Sequence, residues 1–267
     1  MLNIAIRAAR KAGDLIVRHL ERVQGLEIRA KAYNDYVTEV DRLAEAVIID
    51  TIHKAYPNHS ILAEESGAHG QDEHQWVIDP LDGTTNFLHS YPQFAVSIAL
   101  KHKGQLQQAA IYDPLRQELF TATQGQGALL NDRRIRVSRQ GSLTGALLGT
   151  GFPVRYHEAL ESYLVTFKAL FPMTSGIRRA GAATLDLAYV ACGRLDGFWE
   201  LGLKEWDMAA GVLLILEAGG IVSDLGGGNY YLQTGNIVAG TPKVFKEMLK
   251  AIEPFRVPAM PDIHSGP

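Results

Sequence analysis

Apolar and polar residues recur along this chain with two different periods, and the switches between them outline its elements. Over residues 1–20, Ile4, Ile6, Leu15 and Ile16 interleave with Arg7, Arg10, Lys11 and Arg18, which predicts an amphipathic helix. Residues 38–55 predict a second helix, with Leu43, Val47, Ile48 and Ile52 on roughly one face. Short apolar runs predict strands at Ser60–Ala63, Trp76–Ile78, 94–100, 106–112, 117–122 and 145–150. Gly104, Asp113-Pro114 and the Gly125–Gly127 pair punctuate them. Pro80 lacks a ladder donor, so the strand from Trp76 is expected to end at Asp79. The stretch 66–75, rich in Gly, His and acid, reads as an exposed loop. In the second half, Tyr156–Leu170 predicts a helix ending before Pro172, and Ala182–Ala191 another between Gly181 and Gly193. Leu195–Leu201 reads as a strand, Glu205–Ala218 as a strongly apolar helix, Ile237–Ala239 as a strand and 242–252 as a last helix.

Strands and helices mixed in blocks predict an α/β (α+β) fold with layered packing. The expected organisation is one compact unit over 1–253, with packed halves of about 1–140 and 141–253, and a loose tail over 254–267. Apolar residues make up 46% of the 267, enough for a substantial core. The net charge of −3 supplies no overall basic field, so no direct DNA binding is expected. The single cysteine, Cys192, allows no intramolecular disulfide and suits a reducing compartment. It reads as a core residue within an apolar helix. The N-terminal helix is too interrupted for a signal peptide, and runs such as Val212–Leu216 fall far below the ~18 residues of a membrane span. A cytoplasmic protein without membrane contact is expected; Asn58-His59-Ser60 then matches a glycosylation acceptor by chance.

The chemistry concentrates in Trp76-Val-Ile-Asp79-Pro-Leu-Asp82-Gly83-Thr84-Thr85-Asn86. A strand end delivers two acids to a tight turn, and the residues that follow suit a helix start. Acids attract hard cations, and open backbone N–H groups attract phosphate. Two carboxylates beside Thr-Thr-Asn exceed what turn chemistry needs, so this block points to metal-dependent phosphoryl transfer. Glu64 and Asp207 stand at further element ends. If the four acids converge, each pair of charges ~4 Å apart repels by about 4 kcal/mol at an effective dielectric near 20. Divalent ions relieve that, and oxygen-only donors favour Mg²⁺, Mn²⁺ or Ca²⁺ over Zn²⁺. Structural readings stand beside these. Asp207 suits the first turn of a helix, Asp41 completes a capping box with Thr38, and Glu64-Glu65 fits a solvated loop. The chain has no P-loop, no Gly-x-Gly-x-x-Gly, no Gly-x-Ser-x-Gly and no His-Glu-x-x-His.

These residues fall in four blocks: Val37-Thr38-Glu39-Val40-Asp41, Glu64-Glu65-Ser66-Gly67, Trp76–Asn86, and Trp206-Asp207-x-Ala-Ala-Gly with Glu217-Ala218-Gly219-Gly220. In these blocks, and over about residues 1–250, the chain resembles the inositol monophosphatase family, most closely its bacterial SuhB type. The resemblance implies an αβαβα layered sandwich, a homodimer, and a Mg²⁺-dependent phosphatase for inositol monophosphate and related sugar or polyol phosphates. It implies two or three Mg²⁺ ions, with Li⁺ inhibitory, held by Glu64, Asp79, the Leu81 carbonyl, Asp82 and Asp207. It makes Asp41, Glu64 and Thr84 the group that orients and deprotonates water. Gly83 and Thr84 would hold phosphate; Gly181, Ala182, Ala183, Glu200 and Asp207 would line the substrate. The SuhB type is also associated with transcription antitermination through RNA polymerase and Nus-type factors. Arg178-Arg179 and Arg133-Arg134-Ile135-Arg136 are candidate contacts for such partners, or simply solvated surface. Two positions depart from the family pattern. The run Gly181-Ala182-Ala183-Thr184 replaces Gly-Ser/Thr-Ala-Ala, and Lys204 stands where animal members often have His. Both are expected to face substrate rather than metal.

Overall fold

The computed structural model describes residues 1–20, 28–32, 35–154 and 156–255. Its elements run α1 (Leu2–Leu20), β1 (Ile28–Ala32), β2 (Asp35–Thr38), α2 (Glu39–His53), β3 (Ser60–Ala63), β4 (Gly67–His69), β5 (His74–Asp82) and α3 (Thr84–Leu88). Next come β6 (Ala95–His102), β7 (Gln105–Asp113), β8 (Glu118–Thr123), β9 (Gly127–Leu130), β10 (Arg133–Arg134) and β11 (Leu147–Thr150). The remainder is α4 (Leu160–Leu170), β12 (Gly176–Arg178), α5 (Ala183–Ala191), β13 (Gly197–Glu200), α6 (Glu205–Glu217), β14 (Ile221–Ser223), α7 (Tyr231–Thr234), β15 (Ile237–Gly240) and α8 (Pro242–Ile252).

Beside the β1-β2 hairpin, an eight-stranded sheet has the order β10-β9-β8-β7-β6-β5-β3-β4, and a five-stranded sheet the order β12-β11-β13-β15-β14. Each apolar helix face finds a sheet. Ala8, Ala12 and Ile16 of α1 and Val40, Ala44 and Ile48 of α2 cover one side of the large sheet, against Trp76, Ile78 and Ile98. On its other side lie α5 and α6. Their Leu187, Val190, Val212 and Ile215 share one core with Ile111 and Phe120 of the large sheet and Phe198 and Ala239 of the small one. This explains why α6 is apolar all round: residues Asp207–Ile215 are buried between two sheets. Finally, Tyr163 and Leu170 of α4 and Val244 and Met248 of α8 close the outer side, on Leu148, Trp199 and Val238. The five layers are therefore α1/α2, large sheet, α5/α6, small sheet, α4/α8, the αβαβα sandwich expected.

The structure departs from the sequence reading at several points. The strand containing Trp76 does not stop at Asp79. β5 continues to Asp82, and its register with β6 shifts between Asp79↔Ser97 and Asp82↔Ala95. Three steps on β5 oppose two on β6, a bulge that accommodates Pro80 without requiring its missing donor. The supposed loop 66–75 contains β4, an edge strand pairing Ala63↔Gly67 and Ile61↔His69. The helix expected from Tyr156 begins as a 3-10 turn at His157–Ala159 and becomes α-helical only at Leu160. Cys192 caps α5 rather than lying within it; burial pushes its thiol up, which keeps it unreactive. Pro254 belongs to a 3-10 turn, Glu253–Phe255, and the expectation for 256–267 lies outside the described residues.

The α5–α6 contact sets the depth of the central layer. A Cβ on Gly211 would lie 2.5 Å from Leu187 Cβ, so the helices meet at backbone distance there. Gly211→Ala gains up to about 1 kcal/mol of helix propensity but overpacks the core at a cost of about 1–3 kcal/mol. The variant is expected to unfold at lower denaturant than the parent in equilibrium urea titration. A shift to higher midpoint would contradict this account of the interface.

Candidate active site

The site is assembled where β3, β5, α3, α5, β13 and α6 end or begin. The β5 bulge delivers Asp79, 1% exposed, whose Oδ1 accepts from the Leu81 N–H at 3.0 Å. That side-chain-to-backbone turn fixes the Asp79 rotamer. Gly83 follows with φ 90°, and a Cβ there would lie 2.8 Å from the Gln93 carbonyl oxygen. Only glycine satisfies both the backbone and the space. Thr84 opens α3, and its hydroxyl lies 2.9 Å from Asp41 Oδ1 and 3.0 Å from the Leu81 carbonyl.

The two readings of Asp41 prove to be one arrangement. Its Oδ2 accepts from Thr38 N at 2.8 Å and Thr38 Oγ1 at 2.6 Å, completing the capping box of α2. Its Oδ1 is left to meet Thr84. Burial pushes the Asp41 carboxyl up; hydrogen bonds from Thr38 and Thr84 oppose this, and the Glu64 charge adds to it. Asp207 is likewise both cap and site. It lies in the first turn of α6, and its Oδ2 accepts from the Lys204 N–H at 2.7 Å.

A cleft of about 320 Å³ is lined by Glu64, Asp79, Leu81, Asp82, Gly83, Thr84, Gly181, Ala182, Ala183, Glu200 and Asp207 among others. Of the residues that the resemblance makes catalytic, metal-holding or substrate-lining, all but Asp41 are in that lining. Asp41 stands behind Thr84. Asp79 is pushed well above the usual carboxylate range by burial first, then by the charges of Glu64, Asp82 and Asp207. The four acids thus face one another. Glu200 is also pushed well up, by burial, then by Asp186 and Asp207. Its carboxyl occupies the place a Gly151 side chain would need, since a Cβ on Gly151 would sit 1.9 Å from Glu200 Oε1.

The contacts of four residues were not legible beforehand. Thr184, at the start of α5, donates to Asp82 Oδ2 through both its N–H at 2.8 Å and its hydroxyl at 2.5 Å. This corrects the expectation that its departure from the family pattern faces substrate: it touches an expected metal ligand. Lys204 also departs from expectation, holding Asp207 through its backbone while its Nζ donates to Tyr156 Oη at 3.0 Å. Asp186, 2% exposed, lines the cleft and is raised by burial, then by Asp82, with Arg179 opposing. Asn86 Nδ2 reaches the carbonyls of Gln93, Ala180 and Gly181 and so braces the 180–181 turn against α3. The candidate partner arginines separate: Arg178 is exposed on β12, whereas Arg179 lines the cleft with its guanidinium 5.0 Å from the Phe152 ring centroid. Arg133 and Arg134 form the exposed edge strand β10.

The donor set fits a hard divalent cation. It is oxygen throughout, carboxylates plus the Leu81 carbonyl, and a buried cluster of like charge calls for a counter-ion. Asp79, Asp82 and Asp207 each already hold a protein donor. A few carboxylates and one carbonyl suit Mg²⁺ with water completing its shell.

Comparison with known proteins agrees with this geometry. Residues 1–255 match the model of the inositol monophosphatase family, which is generally magnesium-dependent. The chain is 57% identical to "Nus factor SuhB" of Pseudomonas aeruginosa over 97% of this chain and 98% of that protein. Among solved structures it is similar to the extragenic suppressor protein suhB of Bartonella henselae, with 46% identity, TM-score 0.92, and coverage of 94% and 97%. It is also similar to the inositol monophosphatase of Anabaena, with 41% identity, TM-score 0.85, and coverage of 97% and 96%. The match over the whole described length and the shared fold show that the chain belongs to the inositol monophosphatase family.

Proposed function

We propose that this chain is a Mg²⁺-dependent phosphomonoesterase that hydrolyses inositol monophosphate and related sugar or polyol phosphates by direct attack of water. The observation that carries the reading is Asp79, buried and raised by three further acids in the cleft. Glu64, Asp79, the Leu81 carbonyl, Asp82 and Asp207 would hold two or three ions. When bound, Mg²⁺ supplies positive charge for the phosphate dianion, acidifies the attacking water and stabilises the leaving alkoxide.

The protein's own groups do the rest. Thr84 Oγ1 has one proton and two nearby acceptors, Asp41 Oδ1 and the Leu81 carbonyl. Its lone pairs therefore face away from them, ready to accept from water. As Thr84 takes that proton, it passes its own to Asp41 Oδ1. Burial makes Asp41 a stronger base than an exposed aspartate, and Glu64 adds to the local negative charge. The N–H groups of Gly83 and Thr84 would take equatorial phosphate oxygens as charge grows on them. With only five residues, α3 contributes individual amides rather than a long macrodipole. Glu200, with Gly181, Ala182 and Ala183, would meet the polyol. Lithium would inhibit by occupying a magnesium position, and the active form would be a homodimer, as the resemblance implies.

A second reading rests on the relatives. Proteins 57% identical across nearly the whole chain carry the name Nus factor SuhB. A role in antitermination beside RNA polymerase and Nus-type factors would use the outer surface and not the cleft.

Three outcomes test these readings. Asp79→Asn should lower phosphate release from inositol monophosphate by roughly 10³-fold or more, since it removes ligation worth several kcal/mol. The folded state binds a proton on Asp79 more readily than the unfolded state. Ionising Asp79 therefore destabilises the Mg²⁺-free protein increasingly as pH rises above the ordinary carboxylate range. The variant should accordingly melt higher than the parent without Mg²⁺ at neutral pH, and the gap should close as pH falls below ~4, where Asp79 becomes protonated in the unfolded state as well. Near-normal turnover by the variant would end the site assignment. Thr184→Val keeps the backbone donor to Asp82 but removes the hydroxyl. Mg²⁺ affinity, read by calorimetry without substrate, should weaken by roughly 10–100-fold, and Thr184→Ser should restore it. Equal affinity in all three proteins would reduce Thr184 to packing. The Asp79→Asn chain, tested in cells with a ribosomal-RNA antitermination reporter, should retain full reporter activity if the partner role is separate from hydrolysis. Loss of reporter activity by a folded variant would tie the two together.

A further inference from the structure

We infer that His59, Asp72 and His74 form a second metal site, one for a borderline divalent ion such as Zn²⁺, Ni²⁺ or Cu²⁺, at the end of the large sheet remote from the carboxylate cleft. One ligand atom from each of the three lies within 4.8 Å of the others. The cause is strand register. His74 opens β5 and pairs directly with His102 on β6. Ser60 pairs with Gln75, so His59, one residue earlier, falls beside His74. Three histidines on adjacent strands thus form a row whose spacing is close to the strand spacing of about 4.8 Å. Their rings stack accordingly, His59 on His74 at 4.6 Å and 8°, His74 on His102 at 4.2 Å and 12°.

Acids flank the row. Asp72 Oδ1 lies 3.1 Å from His74 Nδ1 and accepts from the His74 backbone N–H at 2.7 Å. Glu73 Oε2 lies 3.7 Å from His102 Nε2. Metal ligation needs neutral imidazole. Burial, and then the proximity of His74, push His59 below the ordinary histidine range. Two imidazoles with one carboxylate select borderline transition ions over Mg²⁺ or Ca²⁺.

The arrangement needs a small closure. Parallel rings present their lone pairs side by side, so each must turn to meet one ion. His74 and Asp72 are 30% and 34% exposed and have room to turn. His59 Nδ1 accepts from Trp76 Nε1 at 3.1 Å. Ligation through Nδ1 takes that lone pair, and ligation through Nε2 moves the proton onto Nδ1. Either way the Trp76 bond is lost, so Trp76 reports occupancy. Separation from the cleft follows from β5 itself: eight steps from His74 to Asp82, at about 3.3 Å each, span roughly 26 Å.

The test uses the full chain without an affinity tag, with saturating Mg²⁺ present so that binding at the cleft is masked. Ni²⁺ is titrated by calorimetry, with tryptophan emission followed in parallel. One ion per chain is expected, with a change in emission at the same stoichiometry. His74→Ala and Asp72→Asn should each weaken Ni²⁺ binding about tenfold or more and leave Mg²⁺-dependent phosphate release unchanged. If His74→Ala does not fold, Asp72→Asn decides alone. No binding by the parent chain, or unaltered binding by a folded variant, would overturn the site and show the row to be ring stacking only. Because the readouts are Ni²⁺ binding and emission, this result is independent of whether the cleft hydrolyses phosphate esters.

Discussion

A carboxylate placed where water cannot reach it must be given either a proton or a cation, and this fold places one at Asp79. Three further acids raise the demand. The cost of keeping four like charges together falls on every element that brings them there. Elsewhere in the core the chain buries apolar side chains in five layers. Here it buries repulsion, which on the proposed reading cations would convert into attraction for a phosphate dianion.

The scaffold controls this charge by dividing the two oxygens of each carboxylate. Asp41 gives Oδ2 to the start of α2 and Oδ1 to Thr84. Asp82 gives Oδ2 to Thr184, and Asp207 gives Oδ2 to the backbone of Lys204. In each case a hydroxyl or N–H at a helix start fixes one side of the carboxylate. The helix starts therefore do two tasks at once. At α2 and α6 they complete a capping box, and at all four helices they orient an acid. The structural and proposed functional readings of Asp41 and Asp207 therefore need not compete: each residue has two oxygens, and capping occupies Oδ2.

Periodicity was enough to locate the long helices and the central strands, because those elements bury a continuous face. It did not reveal β4, β9, β10, β12 and β14, each two to four residues long. Strands that short are defined by a partner's hydrogen bonds rather than by their own pattern. The acids of the cleft were legible since they sit in dense local blocks. The contacts of Thr184 and Asn86 were not, because they are made across the fold: Thr184 reaches Asp82 over 102 residues and Asn86 reaches Ala180 over 94. The histidine row is the extreme case. His59, His74 and His102 share no motif, and only the register of β3, β5 and β6 makes them neighbours.

The two ends of β5 carry opposite donor chemistries, and on the proposed reading of the cleft that difference bears on how a magnesium site would tolerate other metals. Borderline ions bind most nitrogen and oxygen sites more tightly than Mg²⁺, so an oxygen-only cleft cannot reject them by affinity alone. Nitrogen donors at the far end of the same strand offer such ions a site that suits them better. A partly exposed group of this kind would fill before the cleft when borderline ions are scarce. Oxygen donors at Asp79 and Asp82 would then keep their Mg²⁺, which is the dominant hard cation by abundance rather than by strength of binding.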